Sequence, residues 1–341
     1  MKNYLLLGAS SSIAQYFIKR LKSEGNKVFT LSSSKGTESV YDLNSIQNKI
    51  NESKPKVIIN FVGTFTNDYY KSYDVNVLIT KNLFDAAVAA KYERKLILVG
   101  SAAEYGIQEK YYENCLEKPR SIYGLTKLMQ HSLFQYYINI FSINANYIRL
   151  FNVINDNLSE KLFIGNFTKQ LKLVLDGITK EIKLGDLSSY RDYLLIDDVY
   201  TGFMKVIENG NRGEVYNLGM GKTIFIKKFV QKTLLALELQ VELVTKSLNS
   251  VGNIKTEVVA DIDKIKSIGW TPKFDYEKLI EEYCKILKKW KPLEENIEDL
   301  YIKTTDVINN YEEHRTRIKN IEFEDNAEKI LEVYKKVLNE K

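Results

Sequence analysis

Short, predominantly apolar runs alternate with segments of helical period along the first 150 residues. Residues 4–7, 27–31, 57–61, 95–99 and 144–150 carry apolar side chains with little polar alternation, the pattern of strands covered on both faces. Residues 11–23, 45–51, 75–90 and 121–141 instead repeat apolar positions every three to four residues, as helices that bury one side do. Strand then helix, repeated, predicts a parallel sheet, because a parallel neighbour is reached only through a crossover. The expected fold class is α/β, a doubly wound parallel sheet.

Beyond Phe151 the alternation loosens, with helices expected near 169–175, 198–207 and 227–237 and strands near 182–184 and 215–218. The pattern divides the chain into a larger sheet-bearing domain over 1–155, with later sheet strands contributed from about 181–218, and a smaller lobe over 156–290. A charged helical extension follows over 291–341. Its apolar Ile297, Leu300, Ile308, Ile330, Leu331, Tyr334 and Val337 are expected to dock on the body or on a second copy. No internal repeat is visible.

Composition narrows the picture by exclusion. The 341 residues suffice for two lobes with separate cores. A net charge of +5, from 49 basic and 44 acidic residues spread along the chain, offers no basic stripe for nucleic acid. No apolar run reaches membrane-spanning length and no leader precedes the first strand, so a cytoplasmic protein with no membrane partner is expected. Cys115 and Cys284 lie far apart, outside any metal-ligand spacing, so both are expected as structural thiols and no metal is expected.

Strand one runs into Gly8-Ala9-Ser10-Ser11-Ser12-Ile13-Ala14 at the start of a helix. A tight turn of small residues there brings backbone N–H groups and the positive end of the helix to a pyrophosphate, the Rossmann-type arrangement for a dinucleotide. Two of the three expected glycines are replaced, by Ser11 and Ala14; a serine-capped helix without a cofactor remains the plain alternative. Strand two is followed by Ser32-Ser33-Ser34-Lys35, where an NAD-selective protein would place a carboxylate. Hydroxyls and a lysine suit a 2′-phosphate, favouring NADP (NADPH) with NAD the alternative. Asp42 and Leu43 are candidates for the adenine edge, and Phe61, Val62 and Gly63 for the adenosine ribose.

Tyr123-Gly124-Leu125-Thr126-Lys127 sets a phenol and an ammonium four apart, on one face of a helix. A cation beside the phenol is expected to lower its pKa from about 10 toward neutrality, for proton exchange with a hydroxyl or carbonyl. The lysine is also placed to hold the nicotinamide ribose. Ser101 ends strand four at the carboxyl edge, where open parallel sheets bind ligands. Its hydroxyl is expected to meet the same oxygen as Tyr123.

The order Gly8-x-x-Ser11-x-x-Ala14, Asn60-Phe61-Val62-Gly63, Asn76, Ser101 to Gly106, Tyr123-x-x-x-Lys127, Arg149-Leu150-Phe151-Asn152-Val153, Arg191-Asp192-Tyr193, Asp197-Asp198-Val199 and Tyr216-Asn217-Leu218-Gly219 resembles the NAD-dependent epimerase/dehydratase family over about residues 1–290. The resemblance implies Ser101, Tyr123 and Lys127 as catalytic residues and adds Asn76 and Val99 to the cofactor contacts. It implies Ala102 and Ala103 beside the substrate, and Asn152 and Arg191 at the diphosphate of a nucleotide sugar. A homodimer paired through the Tyr-Lys helix is expected from the resemblance alone.

Within the family, dehydratases carry acidic residues one or two places after the catalytic hydroxyl, because eliminating water needs an extra acid and base. Ala102 and Ala103 stand there, which argues against dehydration unless Glu104 takes the role. The wording 99–106 and 184–193 is most similar to reductases of 4-keto-6-deoxy sugar nucleotides, with a GDP carrier favoured. Ile154-Asn155-Asp156-Asn157 departs from that group's Gly-Pro-Gly, so the carrier stays open. The alternatives are a nucleotide-sugar 4-epimerase with tightly held NAD and a non-catalytic NADPH or sugar-nucleotide sensor. His131 and His314 lack partners at recognisable spacing and are expected in surface or hydrogen-bonded roles. Trp270 and Trp290 read as core residues. Tyr69, Tyr70, Tyr111 and Tyr112 divide evenly between pocket and packing.

Overall fold

The computed structural model describes residues 1–31, 39–108, 110–155, 158–246 and 257–288. Ser32, Ser33, Ser34, Lys35, Trp290, His314 and the 291–341 extension, each with a sequence expectation attached, lie outside the described residues.

In chain order the elements are β1 (Asn3–Leu7), α1 (Ser12–Ser23), β2 (Lys27–Leu31), α2 (Leu43–Ser53), β3 (Val57–Asn60), α3 (Tyr69–Tyr73), α4 (Ile79–Ala89), β4 (Lys95–Ser101), α5 (Ile122–Phe141) and β5 (Ala145–Leu150). Then follow β6 (Asn152–Ile154), α6 (Phe163–Leu175), β7 (Ile182–Leu184), β8 (Tyr190–Arg191), β9 (Tyr193–Leu195), α7 (Ile196–Asn209), β10 (Val215–Leu218), β11 (Ile224–Phe225), α8 (Ile226–Ala236), β12 (Val244–Lys246), β13 (Glu257–Val258), α9 (Asp263–Ser267) and α10 (Tyr276–Lys288).

Six parallel strands form the central sheet in the order β10-β5-β4-β3-β1-β2. Side chains alternate across it as strand geometry requires. Tyr4 and Leu6 of β1 join Phe17, Ile97, Ile148 and Phe203 on one face, while Leu5 and Leu7 join Ile58, Leu83, Phe84 and Leu98 on the other. The sheet is therefore covered on both sides, as its apolar strands foretold. Short polar side chains start the helices: Ser11, Asp42, Asp68 and Ser121 each accept an N–H of the first turn.

Two expectations shift. The helix expected over 75–90 is α4 entered through a π-helical turn, Asp74–Leu78, which holds the buried Asn76, and α3 leads into that turn from before the expected start. Of the later strands, β10 extends the central sheet beside β5, whereas β7 pairs with β12 in a separate two-stranded sheet. The remaining short strands form β11-β8-β13 and β6-β9. Around them Phe167, Phe229 and Tyr283 of α6, α8 and α10 pack together, and the hydroxyls of Thr168 and Tyr283 are 2.8 Å apart. Trp270 is buried, as expected, and donates its indole N–H to Thr201 at 3.0 Å.

Candidate active site

The chain leaves β1 toward β2 on one side and β3 on the other, so the sheet's crossover direction reverses between β1 and β3. A crevice opens at the carboxyl ends of strands where that happens. Gly8 stands at its floor with φ +77°, and a Cβ there would sit 2.6 Å from the Val62 nitrogen. Only glycine lets the two strand ends approach this closely. The Ser11 hydroxyl accepts from the Ala14 N–H at 3.2 Å, while the N–H groups of Ser12 and Ile13 have no acceptor within the helix by construction. Ser10 is exposed beside them. Small side chains, a helix N-terminus and a blocked Cβ suit the close approach of a phosphate.

The other candidates around this crevice divide. Phe61 points into the core against Phe17 and Phe203, leaving only its backbone toward the edge. Val62 is likewise buried, with its N–H on the Asn60 carboxamide. Gly63 is exposed, and a Cβ there would lie 3.3 Å from the Lys127 ammonium. Asn76 accepts from the Thr64 N–H at 3.0 Å and donates to Thr126 at 2.9 Å, tying the loop after β3 to α5. Asp42 spends its carboxylate on the N–H and hydroxyl of Ser45, at the start of the helix in which Leu43 is half-buried.

Ser101 and Tyr123 come together from β4 and α5. Gly124 permits this, since a Cβ there would lie 2.4 Å from the Ala103 carbonyl oxygen and hold α5 away from the turn after β4. The Ser101 hydroxyl lies close enough to the Tyr123 phenol to favour its ionised form, and it accepts from the Ala103 N–H at 3.2 Å. Ala102 and Ala103 form the single 3-10 turn that follows, half-buried at the edge. Lys127, 3 % exposed, donates to the Val99 carbonyl at 2.8 Å and to Gln130 Oε1 at 2.9 Å.

Here a sequence expectation is corrected. The phenol is pushed above, not below, its ordinary value of 10.0: burial is the largest cause, the nearby Ser101 hydroxyl opposes it, and the Glu104 carboxylate adds to it. Burial also lowers Lys127 to about 8, against the pull of Glu104. At neutral pH the site therefore holds a protonated phenol and, one helical turn on, a protonated lysine directed to the Val99 carbonyl and Gln130.

Spacing along the chain gave no sign of the group beneath these residues. Glu104, fully buried, accepts from the Ser101 N–H at 2.7 Å and the Tyr147 hydroxyl at 2.8 Å, and from Arg149 Nε at 2.8 Å. Arg149, also fully buried, reaches the Glu113 carbonyl at 3.0 Å, Glu117 Oε1 at 2.5 Å and His131 Nδ1 at 3.1 Å, with its guanidinium 4.5 Å from the centre of the Tyr105 ring. Glu104 thus hydrogen-bonds and packs, and no exposed carboxylate follows Ser101. His131 is hydrogen-bonded as expected but buried rather than superficial, and burial holds it near 4, hence neutral. Gln130 was missed as well. It carries the Lys127 contact on to Thr80 at 2.9 Å, and Thr80 donates to the Asn76 carbonyl.

On the substrate side, β6 pairs with β9 and sets the Asn152 amide on the Asp192 carbonyl at 2.9 Å. Arg191, next in the chain, is half-buried and donates to the Tyr190 carbonyl at 2.7 Å. Asp192 is buried and accepts the N–H groups of Met220, Gly221 and Ala260, which clamps three segments below Arg191. Tyr111 packs in the core against Tyr105 and Phe151, while Tyr69, Tyr70 and Tyr112 are exposed. Cys284 is buried and Cys115 half-buried. Among the described residues no group of three His, Cys, Asp or Glu could hold a metal, and no helix is long and apolar enough to cross a membrane.

The chain is similar to several known proteins. GDP-6-deoxy-D-mannose reductase of Pseudomonas aeruginosa is 26 % identical over 199 residues, 55 % of this chain and 65 % of that one, so the match spans just under two thirds of that relative. CDP-abequose synthase of Salmonella typhimurium is 26 % identical over 322 residues, 84 % of this chain and 99 % of that one. Human dTDP-D-glucose 4,6-dehydratase is 26 % identical over 71 % of this chain and 69 % of its own. Among solved structures, RMD from Pseudomonas aeruginosa complexed with NADPH superposes with a TM-score of 0.76 at 18 % identity, covering 84 % of this chain and 99 % of that one. UDP-glucose 4-epimerase of Thermus thermophilus in complex with NAD gives 0.73 at 19 % identity, over 85 % of this chain and all of that one. Both show the same fold. The model of the NAD dependent epimerase/dehydratase family matches residues 4–219, more than half of the sequence, and the chain belongs to that family.

Proposed function

We propose that the protein is a reductase that uses NADPH to reduce the C4 ketone of a 4-keto-6-deoxy sugar nucleotide, with GDP the favoured carrier. One observation carries this reading: a hydroxyl pair, Ser101 and Tyr123, stands at the β4 edge with alanines beside it, while the nearest carboxylate is locked beneath on Arg149. Dehydration would need an acid and a base in reach of the sugar, and Glu104 is turned away.

NADPH, when bound, supplies the hydride. The protein's part is to polarise the carbonyl and deliver the proton. Ser101 and Tyr123 donate to the ketone oxygen, and Tyr123 gives up its proton as alkoxide forms. A phenol held above 10 is protonated at neutral pH, the state a donor requires. Lys127, charged below about pH 8, offsets the phenolate left behind and is placed to hold the nicotinamide ribose. Gly8, Ser10, Ser11, Ser12 and Ile13 would take the pyrophosphate, and Arg191 with Asn152 the substrate diphosphate. Burial disfavours the charge on Arg191, so an anionic partner would offset that cost.

The test is direct. Purified protein with NADPH and GDP-, dTDP-, CDP- or UDP-linked 4-keto-6-deoxy sugars should consume the reduced cofactor with at least one of them. Cofactor that stays reduced across the panel contradicts the reductase, and a 4-epimer formed from a UDP- or GDP-hexose without added NADPH would put an epimerase in its place. The exposed Leu125, Tyr136, Ile140 and Phe141 along α5 support a homodimer paired through that helix. Light scattering should then give twice the 39.5 kDa chain mass, reduced to one by Tyr136→Glu.

A further inference from the structure

We infer that Phe65 selects the sugar, favouring one whose carbon next to the reacting ketone carries a methyl group over one carrying a hydroxymethyl group. This rests on the sugar-nucleotide reading above and adds to it the residue that reads the 6-deoxy position.

Phe65 lies on the loop between β3 and α3, over the carboxyl edge of the sheet. Its ring meets Tyr123 edge-on, with centroids 5.1 Å apart and planes at 69°. Even with that contact, 48 % of the residue is exposed. The loop is pinned on both sides of it: the Thr64 N–H on Asn76 at 3.0 Å, the Ser72 hydroxyl on the Thr66 carbonyl at 3.2 Å. An apolar ring is thus presented beside the phenol that must touch the ketone oxygen.

A pyranose offers an aromatic ring its C–H face whether or not it carries O6, so what differs between sugars at Phe65 is the substituent on the ring carbon that adjoins C4. In a 6-deoxy sugar that substituent is a methyl group. It would cover the ring and leave water, whereas a hydroxyl in the same place would surrender its hydration with no partner on a phenyl group. Such an apolar contact discriminates by about 10- to 100-fold.

The experiment measures affinity by calorimetry, on the full chain saturated with NADP⁺, for matched pairs differing only at O6. The pairs are GDP-mannose with GDP-6-deoxymannose, and the dTDP-, CDP- and UDP-glucoses each with its 6-deoxy counterpart. The 6-deoxy member of the tightest pair should bind about tenfold or more tightly; Phe65→Asn should abolish the preference and Phe65→Leu keep it. Fluorescence of bound NADPH shows that each variant is folded. Equal affinities in the parent protein, or a preference that survives Phe65→Asn, overturn the assignment while leaving the reductase reading intact. A chain that binds NADPH but neither member of any of the four pairs removes both.

Discussion

Tyr123→Phe is expected to lower the rate of NADPH oxidation by about 10²- to 10⁴-fold, the usual worth of a placed general acid. The substitution removes one oxygen and keeps the ring, so the edge contact with Phe65 and the start of α5 persist. The loss should therefore fall on kcat, with NADPH affinity, read by fluorescence, within a few-fold of the parent. The parent itself should hold its rate through neutral pH and lose it above about pH 8. There Lys127 sheds its proton while the phenol, raised by burial, still holds its own. A rate unchanged in Tyr123→Phe would remove the phenol from the chemistry.

Arg149→Met should destabilise the fold by about 3–5 kcal/mol, because breaking a buried pair leaves one charge without compensation. The cation lost is the one that hydrogen-bonds Glu104 and Glu117; the remaining hydrogen-bond partners of Glu104, Ser101 and Tyr147, carry no positive charge, and Lys127 acts on it only through space. The sign of the pH dependence follows. Burial already raises Glu104, and Arg149 is the main influence pulling it back, so the variant's carboxyl rises further. An acid raised in the folded state binds its proton more tightly there, so stability is greatest below its unfolded value and falls as pH climbs through the folded one. The deficit against the parent should shrink on going from pH 7 to pH 5, as thermal unfolding at the two values will show. A deficit independent of pH would mean that Arg149 contributes only volume. Since Glu104 also fixes the Ser101 backbone, the variant should lose activity beyond its loss of folded protein.

The five strands β1 to β5 were legible because each is a short apolar run between periodic segments, and period is a local property. The placement of Ser101, Tyr123 and Lys127 was legible for a related reason: a strand end and a four-residue spacing on one helix follow from local pattern without knowledge of the rest. What was hidden depends on long-range contact. Glu104 and Arg149 are 45 residues apart, and nothing in either neighbourhood names the other. The direction of the Tyr123 shift was misjudged for the same reason, since it depends on burial and on Glu104 rather than on the lysine one turn away. Residues 182–184 were correctly a strand, yet their partner, β12, follows some sixty positions later and lies outside the central sheet. The π-helical turn at Asp74–Leu78 interrupts a continuous helical pattern that shows no glycine or proline to mark it.

The central claim is that this edge of the sheet moves a hydride onto a sugar carbon while Tyr123 supplies the proton. NADPH carrying deuterium at the transferable position tests it most directly, with the 4-keto-6-deoxy sugar nucleotide that the protein turns over. Mass spectrometry of the product should find one deuterium, bound at C4, and essentially none formed by Tyr123→Phe in the same time. Product without the label at C4, or labelled equally fast in Tyr123→Phe, would contradict the account.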